Sequence, residues 1–409
     1  MGTDFRFGLR RTGIESDMPC APKKGRMNMR LLFAGGGTAG HINPALAIAN
    51  YFCEKEPGTE VRFVGTKEGL ETALVPRSGY PIDYIRIHGF DRSLSLQGLK
   101  TAAEIPFAVR SAGKIIKEFQ PDAVIGTGGY VAGPVVYAAA MRHIPTLVHE
   151  SNAFPGVTTR LLAGKASVVA LGVEDAKKYL KNPKRVIVTG TPLRASLLET
   201  DAFAARRQLG LDSRPFLLIF GGSLGARDFN RTVVDWISRT AQEGNYQILM
   251  GTGKLHQYDA VQKRFSENGV DLKSLPHVTV SEYIYHMDIA MAAADLVICR
   301  AGASTLCELT ALGKPAILVP SPYVTGNHQE HNARAIERGG GASVILESAF
   351  TPEALDCAVR GLTENKEALY TMQQCSKKMG HIDALEQLYR EIKRITDAAK
   401  KGLDHTAPQ

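Results

Sequence analysis

Twice in this chain a short apolar run breaks directly into glycines, first at Leu31-Leu-Phe-Ala-Gly-Gly-Gly37 and again at Phe216-Leu-Leu-Ile-Phe-Gly-Gly222. A buried strand that ends in a glycine turn and reopens as a helix is the first βα unit of a doubly wound sheet. The later runs agree with that. After the first start come Val61-Arg-Phe-Val64, Ile82 to Ile87, Ala123 to Ile125, Thr146 to Val148, Val168 to Ala170 and Val186 to Val188. After the second come Ile248 to Met250, Val278 to Val280, Leu296 to Ile298, Ala316 to Val319 and Ser343 to Leu346. β-rich runs alternating with helical stretches make a mainly parallel sheet with helices on both faces. The expectation is an α/β protein of two Rossmann-like domains facing across a cleft, over residues 29–194 and 195–375. A flexible basic extension precedes them over 1–28. A C-terminal helix and tail come last, over 376–409, where Ile382, Leu385, Leu388, Ile392, Ile395 and Ala399 recur at helical spacing.

Composition narrows the class. With 409 residues, 44% hydrophobic and 22% charged, the chain can bury two cores and is neither disordered nor a coiled coil. No apolar run approaches the roughly 20 residues that span a bilayer, because Asp288 and Asp295 interrupt even the greasiest windows. The N-terminus lacks the apolar segment of a secretory signal, so the expected compartment is the cytoplasm. Six cysteines, none in a C-x-x-C pair, read as reduced thiols. The net charge of +8 looks like a nucleic-acid signal, but residues 1–30 alone hold seven Lys/Arg against three Asp/Glu. No nucleic-acid motif accompanies the rest, so phosphate ligands or an anionic lipid surface account for it and nucleic acid is not an expected partner.

The first loop, Gly35-Gly-Gly-Thr-Ala-Gly-His41, formally satisfies G-x-G-x-x-G with Gly35, Gly37 and Gly40. Alone it would suggest a dinucleotide. Yet the second strand ends Val64-Gly-Thr66, without the acid that holds a dinucleotide ribose, and Glu68 is a poor substitute. His41 stands where the loop enters its helix, with Asn43-Pro44 as the expected helix start. An imidazole there suits a general base or an anion contact, the competing reading being a histidine that only caps backbone.

The second loop, Gly221-Gly-Ser-Leu-Gly-Ala226, opens a helix and offers backbone N–H groups and a hydroxyl to a diphosphate. A third cluster, Gly126-Thr-Gly-Gly-Tyr-Val-Ala-Gly-Pro134, with the first loop makes a concavity for a second phosphate-bearing molecule. His149-Glu-Ser-Asn152 puts polar side chains in a row at a strand's end. In the second half, Glu308 comes after the Gly302 to Ser304 turn, where a carboxylate can accept both hydroxyls of a ribose. His328 and His331 stand at i, i+3, but no third ligand is evident, so amides and imidazoles bonding a sugar are the better reading than a metal site.

Taken together and in order, these motifs resemble the MurG family of peptidoglycan N-acetylglucosaminyltransferases over about residues 29–380. The resemblance implies a glycosyltransferase B-type fold and inverting transfer without metal or cofactor. N-acetylglucosamine would move from UDP-N-acetylglucosamine to the 4-hydroxyl of muramic acid in undecaprenyl-diphosphate-muramoyl-pentapeptide (lipid I), making lipid II at the cytoplasmic membrane face. It also implies that Thr38, His41 and Asn152 line the reaction centre, where with Gly40 they contact the donor, and that Arg194 and Ser223 meet the donor phosphates. Ile284 would contact uracil through its backbone, Glu308 the ribose and Gln329 the sugar hydroxyls, while Gly128, Gly129 and Tyr130 would face the acceptor. The chain departs from the family pattern at Ala39, often glycine, and at His328, where some members carry a second glutamine.

Phe90, Leu94, Leu96, Leu99, Ile105 and Phe107, interleaved with Arg92, Lys100 and Arg110, could lay apolar groups into lipid beside headgroup contacts, or could face the core. Two other function classes are open to a chain of this pattern. One is an NAD(P)-dependent oxidoreductase using Gly35, Gly37 and Gly40; the other is a non-enzymatic nucleotide-sugar-binding protein.

Overall fold

The structure, a computed structural model, describes residues 29–88, 96–193, 195–253 and 257–404. Arg194, Phe90, Arg92 and Leu94 lie outside the described residues, as do the side chains of Ala39, Leu96, Leu99 and Lys100. The first domain holds seven strands: β1 (Arg30–Gly35), β2 (Glu60–Gly65), β3 (Ile82–Tyr84), β4 (Ala123–Gly128), β5 (Thr146–Glu150), β6 (Val168–Leu171) and β7 (Val186–Val188). The second holds six: β8 (Phe216–Phe220), β9 (Gln247–Gly251), β10 (Val278–Ser281), β11 (Leu296–Cys299), β12 (Ala316–Leu318) and β13 (Ala342–Val344). Each expected strand is present. Three are shorter at their ends: β12 stops at Leu318, and β3 stops at Tyr84 opposite Gly65 and β13 at Val344 opposite Leu318, where the partner strands give out.

The sheets are ordered β3-β2-β1-β4-β5-β6-β7 and β10-β9-β8-β11-β12-β13, with every pairing parallel. Strand order therefore reverses between β1 and β4 in one sheet and between β8 and β11 in the other. These are the switch points beside which ligands bind in open α/β sheets. Side chains alternate between two buried faces. Leu31 and Phe33 join the core under the helix Ala39–Lys55, whereas Leu32 and Ala34 join the one on the opposite face. Phe216, Leu218 and Phe220 likewise part from Leu217 and Ile219. Burial on both faces is why these strands read as continuous apolar runs.

The C-terminal helix, Ala384–Asp404, belongs spatially to the first domain. Leu388, Ile392 and Ile395 are buried in that domain's core beside Phe52, and Tyr51 Oη donates to Glu386 at 2.6 Å. The chain thus crosses back after completing its second sheet. Ile382, counted in the apolar stripe, precedes the helix and is exposed. The helix Lys366–Lys378 runs across the expected division at 375/376. Among the described residues no helix is long and apolar enough to cross a membrane.

Candidate functional site

The helix after β1 starts at Ala39 and not at Asn43-Pro44, so His41 lies within its first turn and Pro44 is interior. The reason is the glycine turn before it. Thr38 accepts from His41 and Ile42 through its backbone carbonyl, at 3.1 and 3.2 Å, and begins the helix a turn earlier than proline alone suggests. Thr38 makes no side-chain cap; its hydroxyl lies 3.3 Å from His41 Nδ1. The same nitrogen lies 3.1 Å from the carbonyl of Gly36. A carbonyl can only accept, so in the neutral ring the proton sits on Nδ1 and the lone pair on Nε2. Thr127 Oγ1 donates to the His41 carbonyl at 2.7 Å and pins the turn to β4.

The first and third glycine clusters interlock at the β1/β4 switch point. Gly128 has φ +112°, and a Cβ there would sit 2.5 Å from His41 Cδ2. Gly129, at φ +79°, would bring one within 2.5 Å of the Gly36 carbonyl. Both glycines are thus required by a positive φ and by the closeness of the first loop. Tyr130 lies beside Gly37. His41, Gly128, Gly129 and Tyr130 are therefore brought together as one surface, with Thr38 and Gly40 exposed on it.

The row His149 to Asn152 turns mostly inward. His149 is fully buried and its Nε2 lies 3.1 Å from the Gly190 carbonyl; burial holds its pKa below the ordinary imidazole range, so it is a neutral packing group. Glu150 accepts from Asn152 N and Nδ2, both at 3.0 Å, from Gly156 N at 2.9 Å and from Thr159 Oγ1 at 2.8 Å. Asn152 spends its amide on the fold, since its Oδ1 also accepts from Asn332 Nδ2 at 3.2 Å.

Asn332 closes the polar run from Asn327, but nothing in the sequence marks it as a bridge between the domains. It is 1% exposed, takes the Ala153 N–H at 2.8 Å and donates to the Ala301 carbonyl at 3.3 Å. One amide therefore joins the loop after β5 to the loop after β11, and the carboxyl ends of the two sheets meet. His331 adds a ring stacked on Phe154 at 5.0 Å, and Arg338 pairs with Asp175 across the same seam. His331 is thereby an interdomain contact. Among the described residues no group of three His, Cys, Asp or Glu converges as a metal site would need.

On the second domain's side, the helix Arg227–Thr240 has Ala226 at its N-cap and no side-chain cap, which leaves its first-turn N–H groups for an anion. The loop before it is held by close backbone contact, since a Cβ on Gly225 would lie 2.3 Å from the Thr252 carbonyl. Ser223 is exposed on that loop. Ile284 packs its side chain toward Gly251, so its backbone is what it can offer a ligand. Glu308 lies in the helix Ala303–Leu312 after β11, half-buried. Burial first, and then the charge of Glu308, push the Cys299 thiol up; burial also pushes the Cys307 thiol up, against hydrogen bonding to Thr191, with the charge of Glu308 a smaller contribution. Gln329 accepts from Ser321 N at 2.9 Å through Oε1, which directs its amide nitrogen elsewhere as a donor.

Known proteins resemble this chain in sequence and fold. The glycosyltransferase family 28 N-terminal domain matches residues 31–171 and its C-terminal domain residues 216–388. The UDP-N-acetylglucosamine–N-acetylmuramyl-(pentapeptide) pyrophosphoryl-undecaprenol N-acetylglucosamine transferase of Acetivibrio thermocellus is 47% identical over 368 residues, 90% of this chain and 98% of that one. Its namesake in Bacillus cytotoxicus is 41% identical over 90% of this chain and 99% of its own. The crystal structure of Acinetobacter baumannii MurG superposes with a TM-score of 0.73 at 30% identity, covering 90% of this chain and 99% of that one.

Proposed function

Because this chain belongs to glycosyltransferase family 28, we propose that it transfers N-acetylglucosamine from UDP to the muramic acid 4-hydroxyl of undecaprenyl-diphosphate-muramoyl-pentapeptide, with inversion. The observation that carries the reading is the single amide of Asn332, which holds the carboxyl ends of the two sheets together. Two switch points then open on one cleft, one for each substrate.

In this reading His41 Nε2 takes the proton of the attacking hydroxyl while the anomeric carbon is approached from the face opposite UDP. The uncapped helix at Arg227 and the Ser223 loop carry the charge of the departing diphosphate, with Arg194 as a further contact. Glu308 accepts the ribose hydroxyls, Gln329 donates to the sugar, and Ile284 meets uracil. Thr38 and Gly40 border the reacting hydroxyl. Gly128, Gly129 and Tyr130 receive the acceptor. The 72% exposed Phe107, on the helix Leu96–Phe119 with Ile105 and Arg110, supports docking on the anionic cytoplasmic face of the membrane, where the acceptor resides.

Separate melting experiments with UDP and with NAD test the donor. UDP at a hundredfold excess over its Kd should stabilise by about 2.7 kcal/mol and NAD should not; the reverse would restore the oxidoreductase reading. Turnover of UDP-N-acetylglucosamine with a lipid-linked acceptor then separates an enzyme from a binding protein. Because backbone N–H groups serve the diphosphate, EDTA should leave the transfer rate unchanged. A strict Mg²⁺ or Mn²⁺ requirement would overturn that part of the mechanism.

A further inference from the structure

We propose that Glu71 is a positioning residue for His41, fixing through the first glycine loop which ring nitrogen is free to accept a proton; the proposal rests on His41 acting as the base. Glu71 is 0% exposed, an unusual state for a carboxylate. Its Oε2 accepts from Gly37 N at 2.9 Å, and its Oε1 accepts from Thr66 N at 2.9 Å and Thr66 Oγ1 at 3.0 Å. Three glycines make room for it. A Cβ on Gly36, Gly65 or Gly69 would come within 2.5, 2.5 or 2.0 Å of its side chain.

The consequence passes along the loop. Gly37 N–H belongs to the peptide whose carbonyl is that of Gly36, and that carbonyl is the acceptor 3.1 Å from His41 Nδ1. One peptide plane thus has its N–H fixed by Glu71 and its C=O turned to the imidazole. With the plane held, the neutral ring keeps its proton on Nδ1, and Nε2 is left beside Gly128 as the proton acceptor. Glu71 touches neither substrate in this arrangement; it acts through the peptide.

Glu71→Gln tests this, since its shape is kept but its amide sets N–H against either Gly37 N–H or the Thr66 donors. With UDP-N-acetylglucosamine and a lipid-linked acceptor, kcat should fall about 10- to 100-fold, as for residues that orient a ligating histidine. The KM for the donor should stay unchanged, because the second domain binds it. The decisive readout is the imidazole ¹⁵N spectrum, with the His41 signals assigned as those lost in His41→Asn. The unsubstituted protein should show the Nδ1–H form, and Glu71→Gln a mixture of the two forms. A folded variant with unchanged kcat, or one with lower kcat but an unchanged tautomer, would overturn the proposal. Should Glu71→Gln fail to fold, Thr66→Val removes one donor from the same carboxylate and should give a smaller change of the same kind; no change in the spectrum would count against Glu71. If His41→Asn retains full kcat, the base assignment fails by itself, and the tautomer readout still reports whether Glu71 governs the ring.

Discussion

His41→Asn should lower kcat by about 10²- to 10⁴-fold while the KM for UDP-N-acetylglucosamine changes by less than about twofold. The magnitude is that of general-base catalysis, and the split between the two constants comes from where the groups lie. His41 lies at the β1/β4 switch point, with its Nδ1 against the Gly36 carbonyl and its ring against Gly128. Ser223, Ile284, Glu308 and Gln329, expected to bind the donor, lie after β8, β10, β11 and β12 in the other sheet. Asparagine keeps a polar side chain but cannot take a proton near neutral pH, so the limb of the kcat profile that rises with pH should vanish with the imidazole. Steady-state rates over a pH series measure both effects. Full kcat with an unaltered profile would leave His41 as an orienting contact and move the base elsewhere.

Glu308→Ala should raise the donor KM by about 10- to 150-fold, the equivalent of about 1.5–3 kcal/mol for a charge-assisted hydrogen-bonding group. Its helix opens directly after β11, so the carboxylate is carried at the edge of the second switch point. The neighbouring Leu306 and Leu309 are buried and fix that helix against the sheet, which keeps truncation at 308 from propagating into the core. Removing ribose contacts weakens ground state and transition state alike, so kcat should change far less than KM. Isothermal titration with UDP checks the same quantity without acceptor. An unchanged affinity would make Glu308 a solvated helix residue.

Much of this protein is determined by its sequence alone. Residues such as Leu31 to Ala34 and Phe216 to Phe220 are apolar at every position, and a strand of that kind must be covered on both sides. The glycines after them are required wherever the backbone adopts positive φ, as at Gly37, Gly128 and Gly222. These are local constraints, written in residues adjacent along the chain, and they suffice to find both sheets and both loops. Only the tertiary structure decided how polar side chains divide between cleft and interior. Glu71, His149 and Glu150 look no different in sequence from Glu308 or His41, yet the first three turn inward onto backbone donors or acceptors. The bridging role of Asn332 is invisible in sequence for the same reason, because its partners at 152 and 153 lie in the other domain. The last helix is legible as amphipathic, but not that its stripe seals the first domain beside Phe52, since periodicity specifies that a face is buried and carries no information about which surface buries it.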